Sequence, residues 1–318
     1  MELSDLPGGL SIPAKIKQNA ILALANGVAG LITAALDIPT AYLDRVSEVA
    51  RAKTEGKVTV TLAAARAAAK RLEGDRDLAE RALDYFGSKI VGEQQNRESV
   101  ARKFLNRLAE SPTDEDTSSD IDEDWLTAFW RLAETKTSDD VQELLARLLT
   151  SEVTRPGSVS PTTLQTLSVL TSDLGRAFER LCRLSIDDGD SVYVIHPQVF
   201  AFKTMGPLGE FGISYEDLFE LDGAGLIRSA ETLLLDYAES EDHKAELVDF
   251  GGVRASIDLA GKQVHSIQFT RAGKELRRLI ALAPVPEYTN ALKKRLGDAF
   301  VLVDDPGIAD GTDGNEPN

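Results

Sequence analysis

Apolar residues recur every three to four positions through most of residues 1–186, and the pattern turns to alternation only afterwards. The first period is that of a helix with one buried face, the second that of a strand. Ser11 followed by Pro13 marks a helix start, because the hydroxyl caps and proline loses no bond in the first turn. A helix is expected over 14–36, and its stretch Ala20–Leu36 carries no charge. Small residues recur there at Ala25, Ala29 and Thr33, and at Asn26, Gly30 and Ala34, a spacing that admits close helix approach. Pro39 restarts a helix to Thr54 along Tyr42, Leu43, Val46 and Val49. The alanine-rich run 57–72 favours a further helix.

From Asp75 to Glu110 the spacing predicts one long helix. Leu78, Ala82, Phe86 and Ile90 step by four, and Val100, Phe104 and Leu108 resume the stripe. At ~1.5 Å per residue it would reach about 50 Å, so part of it is expected to meet a partner or a second copy. Its polar middle, Glu93 to Glu98, is expected on a solvated face. Residues 111–124 are an acidic linker, and a helix from Trp125 to Thr135 buries both tryptophans with Phe129. Residues 141–170 then read as helix, stop, helix. Arg155-Pro156-Gly157-Ser158 ends the first arm and Ser160-Pro161 starts the second, with Leu164, Leu167, Val169 and Leu170 as its apolar side. Glu143, Arg147, Glu152 and Arg155 are read as helix-surface charges. Another capped helix carries Leu174, Ala177, Phe178, Leu181 and Cys182.

Residues 191–202 alternate and are rich in β-formers. Ser214 caps a helix to Leu221, followed by Gly223-Ala224-Gly225 and the step Leu226-Ile227. Strands are expected at 231–237, 245–250, 253–259 and 263–270, running into the helix start FTRAGKELRRLI. That order looks like a winged helix with an enlarged wing. The fold class is therefore mainly α, a helical front and central bundle followed by an α+β winged-helix-like domain. The expected segments are 1–111 (helical), 112–124 (linker), 125–186 (central hairpin core), 187–303 (winged-helix-like) and 304–318 (a disordered acidic tail).

Charge changes this picture. Net charge is −17, yet residues 1–110 hold 16 basic against 14 acidic side chains, and residues 111–318 hold 19 against 38. The helix before Gly223 carries Glu216, Asp217, Glu220 and Asp222, with no Lys or Arg until Arg228. A major-groove helix needs Arg, Lys, Asn or Gln toward the base edges, and phosphates need a basic stripe, so nucleic acid is not the expected partner. A hydrophobic content of 42% supports a real core. A single cysteine, Cys182, fits a reducing compartment, and the MELSDLPGG start lacks the basic region of a secretory signal.

Candidate chemistry is sparse. His196, His243 and His265 lie far apart along the chain, with no second ligand at metal spacing. Asp114, Asp116 and Ser118 begin like a calcium loop, but Ser119 and Trp125 stand where glycine and glutamate are needed. Asp187, Asp188 and Asp190 read as an acidic turn. No phosphate loop, serine elbow or Cys–His pair occurs, so no catalytic, cofactor-binding or metal residue is assigned and no cofactor is expected.

Several blocks resemble an uncharacterised bacterial family, domain of unknown function twenty-eight-oh-six. They are QQNRESV at 94–100, DEDWLTAFWRLAE at 122–134, the run 138–170, AFERLC at 177–182, FTRAGKELRRLI at 269–280 and EYTNALKKRL at 287–296. A weaker match around 27–53 extends the likeness toward the N-terminus, and Leu145 stands where the family suggests tryptophan. The resemblance brings no catalytic residues. It implies a bacterial protein with a role in anti-phage or abortive-infection defence.

The expectation is a cytoplasmic, non-enzymatic interaction and assembly protein that binds a protein partner or itself through its N-terminal helices. One alternative is a membrane-active effector inserting residues 20–43, from Ala20 to Leu43, whose uncharged run Ala20–Leu36 is 17 residues, near the lower limit of a span. A second is a winged-helix DNA-binding regulator.

Overall fold

The structure is a computed structural model, and it describes residues 14–35, 76–110, 119–197, 208–228, 234–236 and 245–303. The expected helices at 39–54 and 57–72, the calcium-like acids, His243 and the acidic tail lie outside the described residues. The chain forms two compact units, 1–164 and 165–318.

In the first unit, helices α1 (Ala14–Ala35), α2 (Arg76–Glu110), α3 (Glu123–Ala133) and α4 (Asp139–Thr154) pack together, and α5 (Pro161–Val169) follows. Asp122 caps α3 by accepting from the Trp125 N–H at 2.7 Å, so the helix starts two residues before Trp125. Glu123 and Asp124, the end of the expected linker, thereby fill its first turn, where acids meet the positive end of the helix. The core joins Val100, Phe104 and Leu108 of α2 to Leu126, Phe129 and Trp130 of α3 and Leu145, Leu148 and Leu149 of α4. Leu145, in place of the suggested tryptophan, is fully buried.

Helix α1 belongs to this core. Ile16, Ala20, Ile21, Ala23, Leu24 and Val28 are buried among the helices. No helix of the described residues is long and apolar enough to cross a membrane. The uncharged stretch is apolar, through Val28, because it faces protein. The segment beyond residue 35 lies outside the described residues.

The hairpin corrects one reading. Glu152 is 2% exposed, not a surface charge. Its carboxylate accepts from the N–H groups of Gly157 at 2.7 Å and Val159 at 2.8 Å. Gly157 takes a positive φ of 86°, a conformation that favours glycine. The turn is thus closed by a carboxylate inside it. In α5, Leu164 and Leu167 are buried with Thr163 and Thr166, while Val169 is exposed. The unit boundary falls within this helix.

In the second unit, α6 (Ser172–Cys182) leads into an antiparallel sheet. Its strands are β1 (Ile186–Asp187), β2 (Val192–Ile195), β3 (Ile227–Arg228), β4 (Leu234–Asp236), β5 (Glu246–Phe250), β6 (Val253–Ile257), β7 (Gln263–Phe269) and β8 (Phe300–Leu302). The order is β3-β7-β2-β1-β5-β6-β8, and β4 also pairs with β7. Helix α7 (Tyr215–Gly223) precedes β3, α8 (Arg271–Arg277) follows β7, and α9 (Pro286–Leu296) precedes β8. Strands lie within the expected segments at 234–236, 246–250, 253–257 and 263–269, and they belong to one sheet. The short strand β1 joins β2 to the β5–β6 hairpin, and β8 completes the far edge. The Phe250 ring stacks on Tyr288 at 6.0 Å and meets Phe300 edge to face at 5.1 Å. The coarse architecture is therefore mainly helical with a C-terminal antiparallel sheet.

Candidate functional site

The long helix α2 has two unlike halves. From Val100 onward its apolar side is core. Upstream, Tyr85 (64%), Phe86 (57%) and Ile90 (62%) are exposed, as are Leu78 and Val91. Tyr85 and Phe86 meet edge to face at 5.6 Å. Leu78, Phe86 and Ile90 are members of one helical stripe, and single exposed apolar residues need no explanation whereas a contiguous face does.

The two halves join at the QQNRESV block, and here the expected solvated face is overturned. Asn96 donates to the backbone oxygen of Glu134 at 2.8 Å. Gln142 donates to Lys136 O at 2.8 Å and to Asn96 Oδ1 at 3.3 Å, and Ser99 Oγ donates to Gln142 Oε1 at 2.6 Å. Arg97 pairs with the Glu134 carboxylate. The polar middle of α2 therefore grips the turn between α3 and α4. Burial holds Lys136, in that turn, below the usual lysine range. The block is polar because it meets the Glu134 carbonyl, the Glu134 carboxylate and the Gln142 amide, none of which an apolar side chain could satisfy.

In the second unit the sheet brings together two histidines that are 69 residues apart in sequence. His196 follows β2, His265 lies in β7, and the His196 N–H donates to His265 O at 2.8 Å. Their rings stack with centroids 6.3 Å apart. Tyr288 of α9 donates to Ile195 O at 2.6 Å, one residue before His196. Arg295, two turns further along α9, donates to Gln263 O at 3.3 Å, two residues before His265. Burial, then the neighbouring His265 and Arg295, lower the His196 pKa to about 4. Strand pairing between distant segments has no spacing signature, so the sequence alone could not place these rings together.

The other candidates resolve into architecture. Cys182 is buried, and burial raises its thiol pKa above the usual value, which leaves it the small hydrophobe its stripe suggests. Asp187 pairs with the buried Arg277 at 3.2 Å, and Asp188 Oδ1 accepts from the N–H groups of Asp190 and Ser191. Asp217 forms a capping box with Ser214 and an ion pair with Arg180 at 3.3 Å. Glu216, Phe219, Glu220 and Asp222 of α7 are exposed. Among the described residues no group of three or more His, Cys, Asp or Glu side chains gathers as a metal site.

No curated protein and no solved structure matches the chain. The family model described as "Protein of unknown function (DUF2806)" matches residues 80–293. That span takes in the polar clamp of α2, the hairpin and both histidines of the stacked pair, and the chain belongs to this family.

Proposed function

We propose that the protein is a non-enzymatic assembly protein that pairs with a second copy of itself through the first half of α2. The exposed face around Tyr85, Phe86 and Ile90 carries this reading. The charge of the segment supports a second copy as the occupant. Residues 76–93 hold three basic and four acidic side chains on a chain of net charge −17. Two such segments meet without the repulsion that the acidic remainder would impose. The second unit is read as a winged-helix-like docking module. Helix α7, the Leu226-Ile227 step and the run into α8 follow that order, and the exposed acids of α7 favour a basic protein surface over duplex DNA.

Sedimentation of the full chain across a concentration series tests the self-pairing. The wild type should associate, and Phe86→Glu combined with Ile90→Glu should be monomeric with unchanged circular dichroism. A monomeric wild type, or a double variant that associates equally, overturns the proposal.

A further inference from the structure

Beyond assembly, the second unit holds two buried nitrogens with no hydrogen-bond partner in the protein, Nε2 of His196 and Nε of Arg295. Both come from the cluster at the end of β2 and the start of β7. An arginine Nε–H can only donate, and a buried donor without an acceptor carries its full desolvation cost. Arg180, Arg271 and Arg277 of this unit each meet a carboxylate. Arg295, like Arg183, donates to a backbone oxygen, and the charged groups that act on His196 are His265 and Arg295. The cluster is thus a concentration of positive and potentially positive groups in a protein whose net charge is −17.

We infer that His196, His265 and Arg295 form a binding site for a phosphate-type oxyanion. Such a ligand offers acceptor oxygens, which is what a guanidinium N–H and an imidazole N–H require. A metal cation would face the Arg295 charge at close range, and among the described residues no group of three or more His, Cys, Asp or Glu side chains gathers there to offset it. Placement is set by contacts of the fold: Tyr288 anchors α9 beside His196, and Arg295 is tied to the strand that carries His265. Arg supplies a fixed charge and a planar donor set. The His196 imidazole supplies a donor whose charge follows the ligand, because an oxyanion favours the protonated ring that burial, His265 and Arg295 otherwise disfavour. The site has room to adapt to the charge state of its ligand, a monoanion meeting one cation and a dianion drawing a proton onto a ring.

The chain has only three histidines, so their imidazole signals can be followed individually in long-range proton–nitrogen spectra of the full-length protein. Inorganic phosphate and glycerol 3-phosphate are titrated in separate arms, each against chloride at matched ionic strength. Saturable displacement of the His196 and His265 signals by phosphate, and not by chloride, is the expected result. Tighter binding of the monoester would assign the site to a phosphorylated metabolite or residue, and equal or weaker binding to the free ion. Arg295→Gln should weaken binding at least about tenfold, whereas Lys293→Gln, an exposed cation on the same helix, should change it by less than about twofold. Should Arg295→Gln fail to fold, His196→Asn is the second variant, and the wild-type titration stands by itself. Equal displacement by chloride, no saturation with phosphate, or a folded Arg295→Gln that binds like the wild type overturns the inference.

Discussion

Trp130 donates its indole N–H to the backbone oxygen of Ala23 at 2.8 Å, and its ring lies where a side chain at residue 27 would have to be. Ala23 sits one turn before the kink of α1 at Val28, whose φ of −139° leaves the helical range. The indole therefore serves two ends: it satisfies a buried N–H and seals α1 against α3. A Cβ built on Gly27 would stand 2.0 Å from Trp130 Cε2. Gly27→Ala should consequently destabilise the first unit by about 1–3 kcal/mol, the usual cost of overpacking a core, although alanine favours helix. Chemical denaturation followed by tryptophan fluorescence checks this, and a neutral or stabilising result would show that the indole moves aside freely.

This contact shows how far the sequence can be read. The helix, its burial and the aromatic cluster on α3 follow from periodicity and absence of charge. Small residues at spacing four signal close approach, but the pattern singles out Ala25, Ala29 and Gly30, and the residue that faces the indole is Gly27. Which small residue faces which ring depends on helix rotation, a tertiary quantity. The same limit hid the histidine pair, since β2 and β7 are joined by register and not by spacing. The solvated reading of Asn96 and Arg97 failed for another reason. Polar residues pattern alike whether they face water or unpaired carbonyls of a neighbouring turn.

Glu152 makes the hairpin turn depend on one carboxylate. Its oxygens accept from Gly157 and Val159, two backbone N–H groups that α4 and α5 cannot satisfy themselves. Glu152→Ala should cost about 2–4 kcal/mol, because both donors lose a charged acceptor in a buried place. Glu152→Gln keeps one acceptor oxygen and should cost less. Urea unfolding of the two variants in parallel separates the carboxylate from the space it fills, and equal losses would assign the effect to packing alone.

Arg277 gathers the start of the sheet around one guanidinium. Its Nε donates to Ser185 Oγ at 2.6 Å, and its terminal nitrogens meet the carboxylates of Asp187 and Asp249. Ser185 in turn donates to Cys182 O at 2.6 Å, so the network reaches the end of α6. Arg277→Met should destabilise the second unit by about 3–5 kcal/mol, since it strands the mostly buried Asp187 and leaves Ser185 without its donor. Adding Asp187→Asn should recover part of the loss. Thermal unfolding of the single and double variants tests this, and strict additivity would show that the pair does not interact.

His196 links the stability of the second unit to pH. Its ring takes a proton near 6.5 when unfolded but only near 4 in the fold, because burial, His265 and Arg295 oppose the charged form. Between those values the unfolded chain binds more protons than the folded one. Stability is therefore complete above the unfolded value and falls as pH is lowered toward 4. By pH 5 the loss from this one ring should be about 1–2 kcal/mol after allowance for its partial exposure. Carboxylates add their own slope as they approach protonation, so the informative quantity is the difference between wild type and His196→Gln. The wild type should lose more stability than the variant between pH 7 and pH 5, measured by urea unfolding in a phosphate-free buffer. Parallel pH profiles would mean that the ring is as easily protonated in the fold as out of it, and that Arg295 does not act on it.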